Sequence, residues 1–148
     1  IEQAGGRSIP DLFAAEGEAG FRRRESDALR GLLGRRNCVI ATGGGIITTA
    51  RNLPLLRHLG YLVWLEAPVT LLARRTSFNQ DRPLLQDADP TARLQALLTV
   101  RAPIYKELAD LRIQTQDLQP EESAYGATES ARVFFVQQLR LRQRLQEG

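Results

Sequence analysis

Apolar positions along the chain change rhythm several times, and each change marks an element. Ser8 stands before Pro10 and the apolar pair Leu12-Phe13. A serine hydroxyl there can accept from a free first-turn N–H, and proline fits the first turn, so a helix is predicted to start at this point. Gly17 and Gly20 punctuate the next stretch. Phe21, Ala28, Leu29, Leu32 and Leu33 then recur among charged residues, the pattern of an amphipathic helix over 21–33 closed by Gly34. Residues 38–41 are a short continuous apolar run and read as a buried strand that ends at Gly43-Gly44-Gly45. A helix over 49–59 stops at Gly60, a second buried strand follows at 61–65, and Pro68 opens a helix to about Arg75. Residues 77–90 are polar and contain prolines, as in an excursion loop. Residues 91–108 are helical in pattern, with Pro103 expected to break or kink them. A weaker third strand is predicted at 111–115, and a long helix from Pro120 to about Leu145 ends in an arginine-rich tail. Strands apolar on both faces alternating with helices indicate an α/β fold with a parallel sheet covered by helices. Three strands are few for such a sheet.

Bulk composition narrows the class without choosing a function. A length of 148 residues suits one domain with a core and is short for two. With 43% apolar and 25% charged residues the chain reads as an ordinary soluble protein. No apolar run approaches the roughly 20 residues needed to cross a bilayer, and no signal segment opens the sequence. A cytoplasmic protein without membrane partners is expected. Cys38 is the sole cysteine and His58 the sole histidine, so neither an internal disulfide nor a His/Cys metal site is expected. Cys38 reads as a buried structural thiol, and His58 as a surface residue near a helix end. The net charge is +3, nearly all of the positive charge being arginine. This fits either a GC-rich coding sequence or the bidentate binding of carboxylates and phosphates. The tail Arg140, Arg142 and Arg144 fits a solvated helix as well as a nucleic-acid surface, and no nucleic-acid partner is expected. The sequence opens at Ile1 and contains no methionine, which leads to the expectation that its beginning is missing.

The chemistry-bearing residues are individually weak signals. Gly43, Gly44 and Gly45 directly after a strand could let a ligand approach the backbone and take hydrogen bonds from N–H groups. The same triplet suits a tight strand-to-helix turn. Arg22 and Glu25 are three apart and share a helix face, as a site pair or as a solvated ion pair would. Arg82 lies in the irregular loop before Pro83, and Arg101 precedes Pro103. Each arginine alone reads as surface charge. Several around a glycine-rich strand end would form an anion site, because guanidinium forks match carboxylate and phosphate geometry.

In order, the motifs are Gly17-Glu18-x-x-Phe21-Arg22-x-x-Glu25, Thr42-Gly43-Gly44-Gly45, Arg82-Pro83-Leu84-Leu85 and Arg101-x-Pro103-x-Tyr105. Their order and spacing resemble the shikimate kinase family, as do Ile1-Glu2, Gly6-x-Ser8-Ile9 and Leu12-Phe13 before them. The similarity extends to about Leu139. It implies a parallel-sheet P-loop kinase fold, like that of nucleoside monophosphate kinases, lacking its first two strands in these residues. It implies one partial domain, with substrate-binding residues within about 1–60, a lid over about 77–89 and a C-terminal helix over about 120–145.

The implied reaction moves the γ-phosphate of ATP to the 3-hydroxyl of shikimate in aromatic amino-acid biosynthesis, with Mg2+, in a monomeric enzyme. By the same resemblance, Arg22 and Arg101 grip the shikimate carboxylate, and the backbone of the Gly43, Gly44 and Gly45 turn meets the ring hydroxyls. Glu25 holds Arg22. Arg82 is the catalytic lid residue and also contacts ATP, while Arg75 and Pro120 lie at the adenine. No metal ligand is implied within these residues. The family's G-x-x-x-x-G-K-[ST] phosphate loop does not occur in the sequence, nor does the Asp-x-Asp element whose second Asp would lie about three residues before Ile1. The 148 residues alone are therefore expected to be inactive and poorly stable, since the family's first strand would lie between 38–41 and 61–65. Rival readings are a gluconate-kinase-like enzyme, which has no need of paired arginines beside a glycine triplet, and a non-catalytic shikimate-binding remnant.

Overall fold

The structure, a computed structural model, describes residues 1–2, 6–76 and 89–146. These fall into two compact units, Ile1–Gly60 with Pro68–Leu108, and Tyr61–Ala67 with Ala109–Gly148.

In the first unit, helix α1 spans Ile9–Arg30. It begins where Ser8 accepts a hydrogen bond from the Asp11 amide, 3.3 Å away. At Gly17 the backbone leaves helical geometry (φ 65°, ψ −177°), a conformation open to glycine at little cost, so α1 is two helical pieces joined at that residue. Its buried face carries Leu12, Phe21 and Leu29 together with the polar Glu25 and Ser26. The helix ends at Arg30, short of the residue 33 that its apolar spacing predicts.

Residues 38–41 do not form the expected strand. They have no ladder partner among the described residues. Cys38 is exposed rather than buried, and Val39 is fully exposed. An apolar run becomes a strand only when a neighbour takes its backbone groups and another layer covers its faces. Neither is present among the described residues. The single helix predicted over 49–59 is instead two short turns, Ile46–Thr48 and Ala50–Asn52, followed by helix α2, Leu53–Leu59. Gly60 stops α2 at φ 144°, and His58 is exposed in its last turn. Helices α3, Val69–Thr76, and α4, Pro90–Leu108, complete the unit. The α4 helix runs through Pro103 without ending, contrary to expectation. Pro103 lies on the exposed side of the helix, where solvent can substitute for the amide it lacks.

In the second unit, strands β1, Val63–Glu66, and β2, Leu111–Gln114, pair in parallel with Val63 opposite Leu111 and Glu66 opposite Gln114. Thr115 closes the ladder, its amide donating to the Glu66 carbonyl at 2.8 Å. Helix α5, Pro120–Gln146, packs by its first half, where Tyr61 stacks on Phe134 with ring centres 4.8 Å apart and its hydroxyl meets Ser130 at 2.7 Å. No helix among the described residues is long and apolar enough to cross a membrane.

Candidate functional site

The glycine turn lies in the first unit, and side chains from two helices converge on it. Gly43 sits at φ 70°, in the left-handed region that disfavours a side chain. The chain then descends through Gly44 and Gly45 into the 46–48 turn. That turn is fixed from its far side. The Thr48 amide and hydroxyl both donate to the Gly45 carbonyl, at 3.1 and 2.7 Å. Asn52, fully buried, donates from Nδ2 to the Ile46 carbonyl at 2.9 Å.

Helix α1 supplies Arg22. Its Nη1 donates to Glu25 Oε2 at 2.6 Å and its Nη2 to Glu18 Oε1 at 3.1 Å. The Arg22 and Glu25 side chains are 13% and 8% exposed, so a half-buried arginine meets a buried carboxylate, whereas Glu18 is 57% exposed. Burial by itself would lower the Arg22 pKa. The hydrogen bonds and charges of Glu25 and Glu18 outweigh it and hold the group above its ordinary value. The guanidinium presents its Nη edge to Gly45, where a β-carbon would come within 2.9 Å of Nη2 and 3.0 Å of Cζ. A side chain there would force the Arg22 guanidinium to shift from its place beside Glu25. One turn further on, Ser26 donates to the Arg22 carbonyl at 3.0 Å and accepts from Arg51 Nε at 3.1 Å, which ties α1 to the 50–52 turn.

Helix α4 supplies Arg101 and Tyr105. A β-carbon on Gly44 would lie 3.4 Å from Arg101 Nη1 and 2.8 Å from the Tyr105 hydroxyl. That hydroxyl donates to the Gly44 carbonyl at 2.7 Å. Burial raises the Tyr105 pKa, against the opposing charge and hydrogen bond of Arg101, so the phenol stays a proton donor. Arg101 makes no ion pair among the described residues, and its Nε is buried without a hydrogen-bond partner. A buried guanidinium N–H without a partner costs free energy on the order of 1–3 kcal/mol, which a charged ligand oxygen would recover.

Arg22, Glu25, Gly43, Gly44, Gly45 and Arg101 are thus brought to one place. Arg82 and the rest of 77–88 lie outside the described residues. Asp89, at the end of the expected lid, caps α4, accepting from the Thr91 and Ala92 amides at 3.0 Å. Arg75 is exposed in the last turn of α3, in the first unit. Pro120 is the first residue of α5, in the second. Sequence reasoning gave no role to Tyr105 or Glu18, although both stand at helical spacing from an arginine, i+4 from Arg101 and i−4 from Arg22. The polar tie through Ser26, Arg51 and Asn52 leaves no periodic signal to find. A depression of about 500 Å3 in the second unit is lined by Tyr61, Asp110, Glu129 and Ser130. Asp110 is engaged there by the Leu62 amide, Glu129 by Arg132 and Ser130 by Tyr61.

A turn with two guanidinium groups against neighbouring glycines suits a small ligand that combines a carboxylate with hydroxyls. The family model described as shikimate kinase matches residues 1–132. A shikimate kinase of Halorhodospira halophila is 50% identical over 115 residues, 78% of this chain and 65% of that protein. A shikimate kinase of Nitrosomonas europaea is 44% identical over 149 residues, 99% of this chain and 65% of that protein. The chain thus spans about two thirds or less of the length of these relatives. The solved shikimate kinase of Acinetobacter baumannii in complex with shikimate superposes with a TM-score of 0.75 at 44% identity, over 78% of this chain and 65% of that one. Shikimate kinase from Bacteroides thetaiotaomicron gives a TM-score of 0.75 at 27% identity, over 90% of this chain and 78% of that one.

Proposed function

The chain belongs to the shikimate kinase family, with its α/β P-loop-kinase fold, and on that premise we propose that Arg22, Arg101 and the 43–45 turn bind shikimate for phosphorylation of its 3-hydroxyl by ATP. The observation that carries the reading is Arg101, a partly buried guanidinium beside Gly44 with no carboxylate partner among the described residues. In this proposal Arg101 takes the shikimate carboxylate by charge-assisted hydrogen bonds. Arg22, already neutralised by Glu25 and Glu18, supplies a second contact in a fixed orientation. The Gly44 and Gly45 amides meet ring hydroxyls that a side chain at either position would exclude.

Phosphoryl transfer asks the protein mainly to position the two substrates and to neutralise charge on the moving phosphate. The proposal gives that second task to Arg82, which the closing lid would bring in while excluding water. It places Arg75 and Pro120 at the adenine and the reaction in the cytoplasm. Mg2+ would accompany ATP and offset charge on its phosphates. The described residues offer no cluster of three His, Cys, Asp or Glu to hold such an ion.

The test is ATP-dependent phosphorylation of shikimate, assayed with the protein as its host expresses it and with residues 1–148 alone. Turnover by the former and none by the latter is expected, because no G-x-x-x-x-G-K-[ST] loop occurs in these residues to cradle ATP phosphates. No turnover by either, with shikimate still bound, would make this a shikimate-binding protein. Failure to bind shikimate would end the reading.

A further inference from the structure

Tyr105 is positioned to act on the site without itself being one of the ligand-gripping arginines. Arg101 and Tyr105 are one helical step apart at i and i+4, so both project from the same face of α4. Both reach Gly44, the hydroxyl of Tyr105 by a 2.7 Å bond to its carbonyl and Arg101 by the approach of Nη1. The Gly44 carbonyl belongs to the peptide group that also contains the Gly45 N–H. In a planar trans peptide these two groups point in opposite directions. Holding the carbonyl toward α4 therefore directs the Gly45 N–H away from Tyr105. No acceptor takes that N–H among the described residues. Glycines flanking the bond leave the peptide free to rotate unless something fixes it, because Gly43 to Gly45 carry no side chains to restrict their dihedrals.

We propose that Tyr105 is a positioning residue of the shikimate site: its hydroxyl sets the orientation of the Gly44–Gly45 peptide, so that the Gly45 N–H is presented to a ligand hydroxyl, and steadies the Arg101 guanidinium for the carboxylate. This rests on the proposed function above. The two roles meet at one place, because the hydroxyl that donates to Gly44 and Arg101 Nη1 both approach the same residue. Burial keeps the phenol protonated, so the donor is available throughout the neutral range.

The experiment measures shikimate binding to the protein as its host expresses it, as wild type, Tyr105→Phe, Arg101→Ala and the double variant, with thermal unfolding of each. Tyr105→Phe should weaken binding by about fivefold, the worth of one hydrogen bond of ordinary net strength, with little change in unfolding temperature. In the Arg101→Ala background the same substitution should have a smaller effect, because one of its two targets is gone. A wild-type measurement needs no variant: the Gly45 amide resonance should shift when shikimate is added and gain protection from exchange. Equal binding by wild type and Tyr105→Phe, or an unmoved Gly45 amide while shikimate binds, overturns the positioning role and leaves the proposed function standing. Absence of shikimate binding by wild type overturns both.

Discussion

Arg22 and Arg101 approach neighbouring residues of one turn, yet their surroundings differ in kind. Arg22 is half-buried and held by Glu25 and Glu18, with two carboxylates for one positive charge. Among the described residues Arg101 has no carboxylate partner and keeps a buried Nε without an acceptor. The difference separates two tasks that a binding site must perform. Arg22 is held so firmly that it can shape the turn, and glycine at position 45 follows from its proximity. Arg101 is left with unspent charge, and the stability cost of that arrangement makes sense at a place where a ligand carboxylate arrives. Paired and unpaired arginines look the same in sequence; only their neighbours in space distinguish them.

The sharpest way to break this contrast is to remove the carboxylate that anchors Arg22. Glu25→Ala should destabilise the chain by about 3 kcal/mol, because breaking a buried pair strands the remaining charge and exposed Glu18 replaces little of the lost partner. Urea unfolding monitored by circular dichroism checks this, and a loss below about 1 kcal/mol would mean that the pair is not a structural anchor. The smallest effect is expected at Arg30 and Asp27, an ion pair with the same i,i+3 spacing on the same helix and a 2.6 Å contact, but with side chains 49% and 70% exposed. Asp27→Ala should cost under about 0.5 kcal/mol in the same measurement, since solvent screens exposed pairs. Equal effects at the two pairs would show that spacing, and not burial, decides.

Much of the fold was legible because helix ends are written in local chemistry. Ser8, Pro68, Gly60 and Pro120 marked boundaries to within a few residues, and residues 61–65 and 111–115 became the β1 and β2 pair with small shifts, although β1 is not the buried strand expected, since Val63 and Leu65 are exposed. The strand expected over 38–41 failed for a reason local sequence cannot carry. Its apolarity was correctly read, but pairing depends on what lies beside it, and Val39 stays exposed among the described residues. Pro103 failed as a helix breaker because its exposed placement, invisible in sequence, lets α4 continue. At the site, the family-like motifs picked out Arg22, Glu25, the glycines and Arg101 together. They did not show that Tyr105 reaches the Gly44 carbonyl, since that contact joins residues 61 positions apart. Arg82 and the lid fall outside the described residues, so their role stands as part of the proposal.

The most direct test of the central claim is calorimetric titration of the protein as its host expresses it, wild type and Arg101→Ala, with shikimate and with its methyl ester. If Arg101 is the charge reserved for the ligand carboxylate, its removal should weaken shikimate binding about 10- to 100-fold, the range expected for a charge-assisted hydrogen bond of roughly 1.5–3 kcal/mol. The uncharged ester should bind both proteins alike and more weakly than shikimate binds wild type. Arg101→Ala binding shikimate as tightly as wild type, or the ester binding wild type as tightly as the free acid, would contradict the account.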